Sequence, residues 1–169
     1  MTELRTLVVY YSRSGNSRAV AEEIARSLGS GCAVEEIRDA VDRTGRLGYW
    51  RSFLDGMLAR TTAIAATGYR VSEYDLVIVG GPVWVGAPSS PVRSWLRAHR
   101  DELHAVAFFL THGGTARDKV LAAMEKVSGC SPVAALSVRV GELGTPEAGA
   151  MIGAFTAKAR EALSSAASA

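Results

Sequence analysis

Apolar residues fall along this chain in two rhythms. Largely apolar runs over 4–11, 76–79 and 105–110 are separated by longer stretches in which apolar positions recur at helical spacing. Runs of the first kind mark strands covered on both faces, as in a parallel sheet; spacing of the second kind marks amphipathic helices. The pattern predicts strands over 4–11, 33–37, 76–79, 105–110 and 133–138. A helix leaves the first strand with Val20, Ile24 and Leu28 on one face and stops at Gly29, since glycine readily takes the conformation that ends a helix. Ser89, Ser90 and Pro91 open another, with a capping hydroxyl and a proline in the first turn. Its apolar face is Val92, Trp95, Leu96 and His99. Further helices are predicted over 117–127 and 145–163, leaving 164–169 as a frayed tail. This alternation predicts one α/β domain over 1–169, a three-layer sandwich. Its five-stranded parallel sheet has the order 2-1-3-4-5, with helices on both faces.

The stretch over 39–74 is longer than a plain crossover needs. Leu47, Trp50, Phe53, Leu54, Met57 and Leu58 form an apolar helical stripe within it, with Arg51, Asp55 and Arg60 off the stripe. The stripe is expected to pack on the core; a lid or a subunit contact is the sharper alternative. Tyr49, Trp50 and Tyr69 are likewise expected to pack, the alternative being a reach toward a ligand in a neighbouring subunit.

Composition narrows the function classes. The 169 residues suit one domain, and at that size folding buries roughly 70% of the unfolded surface, enough for a core without staples. The formal charge of +2 comes without a dense Lys/Arg cluster, so no nucleic-acid partner is expected. No apolar run reaches membrane-spanning length. The start Met1-Thr2-Glu3-Leu4-Arg5 resembles no secretory signal, which makes the cytoplasm the expected compartment. Cys32 and Cys130 have no C-x-x-C spacing and no paired histidines, so no metal site is expected. The sheet order separates them too far for a disulfide.

Chemistry concentrates at the ends of strands. After the first strand come Ser12, Arg13, Ser14, Gly15, Asn16 and Ser17, just where a helix begins. Unpaired amides and the positive end of a macrodipole make such a terminus an anion site. No G-x-G-x-x-G and no Gly-Lys-Ser/Thr occurs there, so the turn suits one phosphate monoester rather than a dinucleotide or a triphosphate. The third strand leads into Gly80, Gly81, Pro82, Val83, Trp84, Val85, Gly86 and Ala87. Glycines there would let backbone approach a flat ligand, and Trp84 is either a core plug or a stacking plate. The fourth strand leads into Thr111, His112, Gly113, Gly114 and Thr115. In this sheet order, ligands sit beyond the strand ends where the chain reverses direction, and all three loops face that crevice.

With Ser12, Ser14, Gly15, Asn16 and Ser17 in a hydroxyl-x-hydroxyl-Gly-Asn-hydroxyl pattern, and Trp84 between Gly81 and Gly86, the chain resembles the flavodoxin-like family over nearly its whole length. The resemblance implies FMN. Its phosphate would be held by Ser12, Arg13, Ser14, Gly15, Asn16 and Ser17. Its ring would lie along Pro82, Val83, Trp84, Val85, Gly86 and Ala87, with Thr111, His112, Gly113 and Gly114 at the pyrimidine side. His112 is the candidate catalytic residue, a donor near flavin N1 or the C2 carbonyl. Flavodoxins are strongly acidic and stack a tyrosine from the fourth-strand loop. This chain is slightly basic and has glycines there, which is closer to the quinone reductases of the same family.

The expected activity is therefore FMN-dependent oxidation of a donor such as NAD(P)H by a quinone-like acceptor. The alternatives are an electron carrier that docks a redox protein, and a flavin-free interaction module. A homodimer is compatible with each. A phosphoacceptor receiver is excluded by Tyr10, Tyr11, Gly80 and Gly81 where acids would stand, and a small tyrosine phosphatase by the missing cysteine in the first loop. Without Gly-x-Ser-x-Gly there is no sign of a hydrolase triad.

Overall fold

Five parallel strands carry the structure. The computed structural model describes residues 4–40, 47, 48, 50, 54, 61–114 and 117–166. Strands β1 (Thr6–Tyr10), β2 (Cys32–Glu36), β3 (Leu76–Trp84), β5 (Val106–His112) and β6 (Ala134–Arg139) form the parallel sheet in the order β2-β1-β3-β5-β6. The two-residue β4 (Ala87–Pro88) folds back antiparallel on the end of β3. Apart from that addition, the order is the expected one.

Helices α1 (Asn16–Leu28) and α4 (Pro146–Ala166) cover one face of the sheet, and α2 (Ser90–His99) and α3 (Arg117–Ser128) the other. Alternation along each strand divides the core in two. Val8, Tyr10, Ile78, Phe109 and Leu136 meet Ile24, Ile152 and Phe155 on the first face. Leu7, Val9, Val79, Phe108 and Leu110 meet Trp95, Leu96, Val120 and Met124 on the second. Each such large side chain, fully buried, stabilises the fold by about 1.5–3 kcal/mol. Helix α4 continues to Ala166, so residues 164–166 are helical rather than frayed; the rest of the expected tail lies outside the described residues.

Two features of β3 correct the sequence reading. The strand does not stop at Val79 but runs through Gly80, Gly81 and Pro82 to Trp84, with Gly80 opposite Phe109 and Pro82 opposite Thr111 on β5. Gly80, moreover, is not there for a ligand. A Cβ on it would stand 2.3 Å from Phe109 Cδ1 and 2.3 Å from the Phe109 carbonyl oxygen. Gly81 is similarly confined, by Val92 and the Tyr11 carbonyl. Both glycines let the central strands and α2 close on each other.

The apolar stripe gives a third correction. Leu47, Trp50 and Leu54 are exposed, Leu47 to 86% and Trp50 to 60%, so these members do not pack on the core; Phe53, Met57 and Leu58, like Tyr49, lie outside the described residues. Tyr69 is also partly exposed and meets Tyr74 edge-on, with ring centres 6.1 Å apart.

Both cysteines are free thiols. Burial pushes the Cys32 thiol up to about 11, against a partial opposing pull from the Arg160 cation. Its reactive form is the thiolate. Iodoacetamide should therefore label Cys32 slowly at neutral pH, with a rate that keeps climbing until the pH passes 11; a plateau reached near the ordinary cysteine value would contradict this.

Candidate functional site

The turn between β1 and α1 is braced from within. The Gly15 amide donates to Ser12 Oγ at 3.1 Å, and Asn16 Nδ2 donates to Ser14 Oγ at 3.3 Å. A hydroxyl that accepts still has its own proton to donate, so Ser12 and Ser14 are held in place with donors to spare. Gly15 is the N-cap of α1 at φ 90°, no side chain caps the helix, and its first turn holds no acid. The amides of that turn are left for an outside acceptor. Arg13 is exposed on the turn. Arg18 is turned away from it: both Glu36 carboxylate oxygens accept from its guanidinium at 2.8 Å, and Tyr10 Oη accepts from Nε at 3.3 Å. Glu36 and the Tyr10 hydroxyl hold the Arg18 cation well above its usual range, while burial raises the Tyr10 phenol.

Ser17 is not a free member of this turn. Its hydroxyl lies 2.7 Å from the Thr111 hydroxyl, and both residues are buried. This bond ties the start of α1 to the end of β5. The structure thus brings the first and third loops together through Ser17 and Thr111, one on α1 and one facing it from β5.

The second loop is a hairpin. Val83 and Trp84 pair with Pro88 and Ala87 across a two-residue turn made by Val85 and Gly86. Both turn residues have positive φ, 50° for Val85 and 68° for Gly86, which is the handedness that hairpin turns require. Trp84 is 8% exposed and meets Tyr11 edge-on at 5.7 Å. It plugs the base of the hairpin instead of offering an open plate. Val85 is the residue presented to solvent, at 47% exposure. A branched side chain in that backbone region is strained by roughly 1–2 kcal/mol, and asparagine suits the position far better. Val85→Asn should raise the melting temperature by about 2–4 °C, the equivalent of about 1 kcal/mol in a chain of this size; an unchanged or lower value in a thermal melt would show that the strain is not there.

In the third loop, Gly113 and Gly114 lack positive φ, and a Cβ on either would meet nothing within 4 Å. Neither backbone conformation nor packing among the described residues calls for glycine, so the space beside the loop is kept open. Thr115 lies outside the described residues. His112 stands on the opposite side of β5 from Thr111, and its Nδ1 is buried without a hydrogen-bond partner. The other two histidines are structural. His99 Nδ1 lies 2.8 Å from Glu102, with its ring 4.5 Å from Trp95, and His104 Nε2 lies 3.0 Å from the Ser72 carbonyl.

Comparison with known structures places this arrangement. A flavoprotein from Lactobacillus acidophilus NCFM, solved in complex with FMN, is 26% identical to this chain. It superposes with a TM-score of 0.69 over 83% of this chain and 96% of that one. This chain has the flavodoxin-like fold. A WrbA-like flavodoxin from Agrobacterium tumefaciens shares the fold at 18% identity, with a TM-score of 0.58 over 94% of this chain and 98% of that one. Rubredoxin oxygen:oxidoreductase from Desulfovibrio gigas shares it at 19% identity and TM-score 0.65, over 99% of this chain and 38% of that longer one. No protein-family model matches the sequence, and curated proteins give no significant match. Among the described residues, no helix is long and apolar enough to cross a membrane.

Sequence reasoning missed Ser137, Arg139, Arg117 and Lys119, which line a cavity with His112 beside the third loop. They come from the consecutive elements α3 and β6, and the register of β6 against β5 puts Ser137 and Arg139 on the His112 side.

Proposed function

We propose that this protein binds FMN at the ends of β1, β3 and β5 and acts as an oxidoreductase, passing electrons from NAD(P)H to a quinone-like acceptor. The residues present fit the cofactor. The uncapped start of α1, with donors on Ser12 and Ser14 and Asn16 as the brace, suits one phosphate monoester. FMN, when bound, supplies two-electron acceptance from a nicotinamide and release to an acceptor. Pro82, Val83, Val85, Gly86 and Ala87 would flank its ring, with Trp84 holding their hairpin in place from below. His112 is the candidate catalytic residue, as a donor near flavin N1 or the C2 carbonyl.

The observation that carries the reading is the empty space over Gly113 and Gly114. A residue with bulk there would close over a bound ring; glycines leave it open to a second substrate. An electron carrier has no need of that access, because its partner touches only an edge.

The test is an absorption titration of the purified protein with FMN, followed by turnover with NADH or NADPH and a soluble quinone. Stoichiometric binding with nicotinamide-dependent quinone reduction is expected. Binding without turnover, with accumulation of one-electron-reduced flavin, would replace the reductase by an electron carrier docking a redox protein. No flavin binding would leave an interaction module.

A further inference from the structure

β5 and β6 run side by side with His112 opposite Arg139 and Leu110 opposite Ser137. Register partners in a parallel pair share a face of the sheet, as do residues two apart on one strand. His112, Ser137 and Arg139 therefore stand on one side, the side on which α3 packs through Val120 and Met124. The first turn of α3 brings Arg117, Asp118 and Lys119 to the same place, and Glu142 follows from the turn after β6. Together these residues line a cavity of about 600 Å³, a size typical of small-molecule sites.

The charges around the cavity say what it would take. His112 and Ser137 line it with ring and carbon atoms, while His112 Nδ1 and Ser137 Oγ are buried and have no hydrogen-bond partner. And among the described residues, the cations Arg117, Lys119 and Arg139 make no ion pair, even with Asp118 and Glu142 on the same rim. Three unengaged cations suit phosphate oxygens. Two unengaged carboxylates suit hydroxyl groups, as on a sugar. Charges of both signs gathered around one cavity of this size suit a small molecule that carries both phosphate and hydroxyl groups.

We propose that this cavity binds a phosphorylated small molecule, its phosphate held by Arg117, Lys119 and Arg139 and its hydroxyls by Asp118 and Glu142. That the molecule is the nicotinamide donor rests on the oxidoreductase reading above; the phosphate site does not.

The experiment uses the full chain and two probes, inorganic pyrophosphate and NADP+. Histidine ring signals are followed by NMR at fixed pH, and the His112 signal is assigned by its loss in His112→Gln. The His112 signal should shift saturably while those of His99 and His104 stay in place. Arg139→Ala and Lys119→Ala should each weaken binding about tenfold, as expected when a charged hydrogen bond is lost. Ser14→Asp should leave this titration unchanged, which separates the cavity from the turn before α1. A motionless His112 signal, or a shift that both cavity variants leave intact, overturns the proposal. Tighter saturation by NADP+ than by pyrophosphate supports it with a nicotinamide dinucleotide as ligand; saturation by pyrophosphate alone supports it with a free phosphate anion. Because neither probe needs flavin, a failure to bind FMN with a normal His112 titration would remove the flavin reading and keep this site.

Discussion

Gly80→Ala should lower the stability of this protein by about 3 kcal/mol, at the upper end of what overpacking does. The added Cβ meets the Phe109 ring and also the Phe109 carbonyl, both 2.3 Å away. A ring can turn, but a carbonyl in the middle of a parallel sheet moves only with its strand. β5 is bonded to β3 on one side and to β6 on the other, so the displacement spreads through the sheet. For a chain of this size the loss corresponds to roughly 6–12 °C in melting temperature. Gly114→Ala is the matched control: its Cβ meets nothing within 4 Å, and a surface change of that kind stays within about 0.5 kcal/mol. Thermal melts followed by circular dichroism decide the matter, and near-equal midpoints for the two variants would refute the packing argument.

The second large effect separates binding from stability. Ser14→Asp should weaken FMN binding by about a hundredfold, since a like charge placed against a phosphate costs several kcal/mol. The folded protein itself should be unharmed or slightly more stable. Ser14 is exposed, and a carboxylate near the start of a helix gains about 0.3–1 kcal/mol from the dipole. α1 has no acid in its first turn, so nothing competes for that gain. Flavin fluorescence titration gives the affinity and a thermal melt of the flavin-free protein gives the stability. Affinity retained within a few-fold would mean that the turn before α1 is not where the phosphate goes.

The layout of the fold was legible because burial on two faces leaves a strong mark. Continuous runs such as Leu76 to Val79 and Ala105 to Leu110 cannot face water on either side, and their spacing forces crossover helices. What stayed hidden is instructive. Gly80, Gly81 and Pro82 read as the end of a strand, since glycine and proline usually break one. Here they continue β3, because Phe109 and Val92 occupy the space that side chains would have taken. Val85-Gly86 is a poor match to the usual hairpin pair, so β4 left no sign in the sequence. Of the site, the serine-rich turn could be read at once, because its donors are neighbours along the chain. The cavity beside His112 could not. It depends on whether His112 stands opposite Arg139 or one residue away, and a slip of one would send Ser137 and Arg139 to the other face.

The bond between Ser17 and Thr111 joins residues 94 positions apart, and it gives two loops a common lifetime. The start of α1 and the end of β5 cannot part without breaking this buried contact. Their backbone amides should exchange with solvent as one unit rather than at two separate rates, and Thr111→Val should split that single rate into two. A ligand that settles against the start of α1 should then also slow the end of β5, across the width of the crevice and without any movement of the sheet beneath.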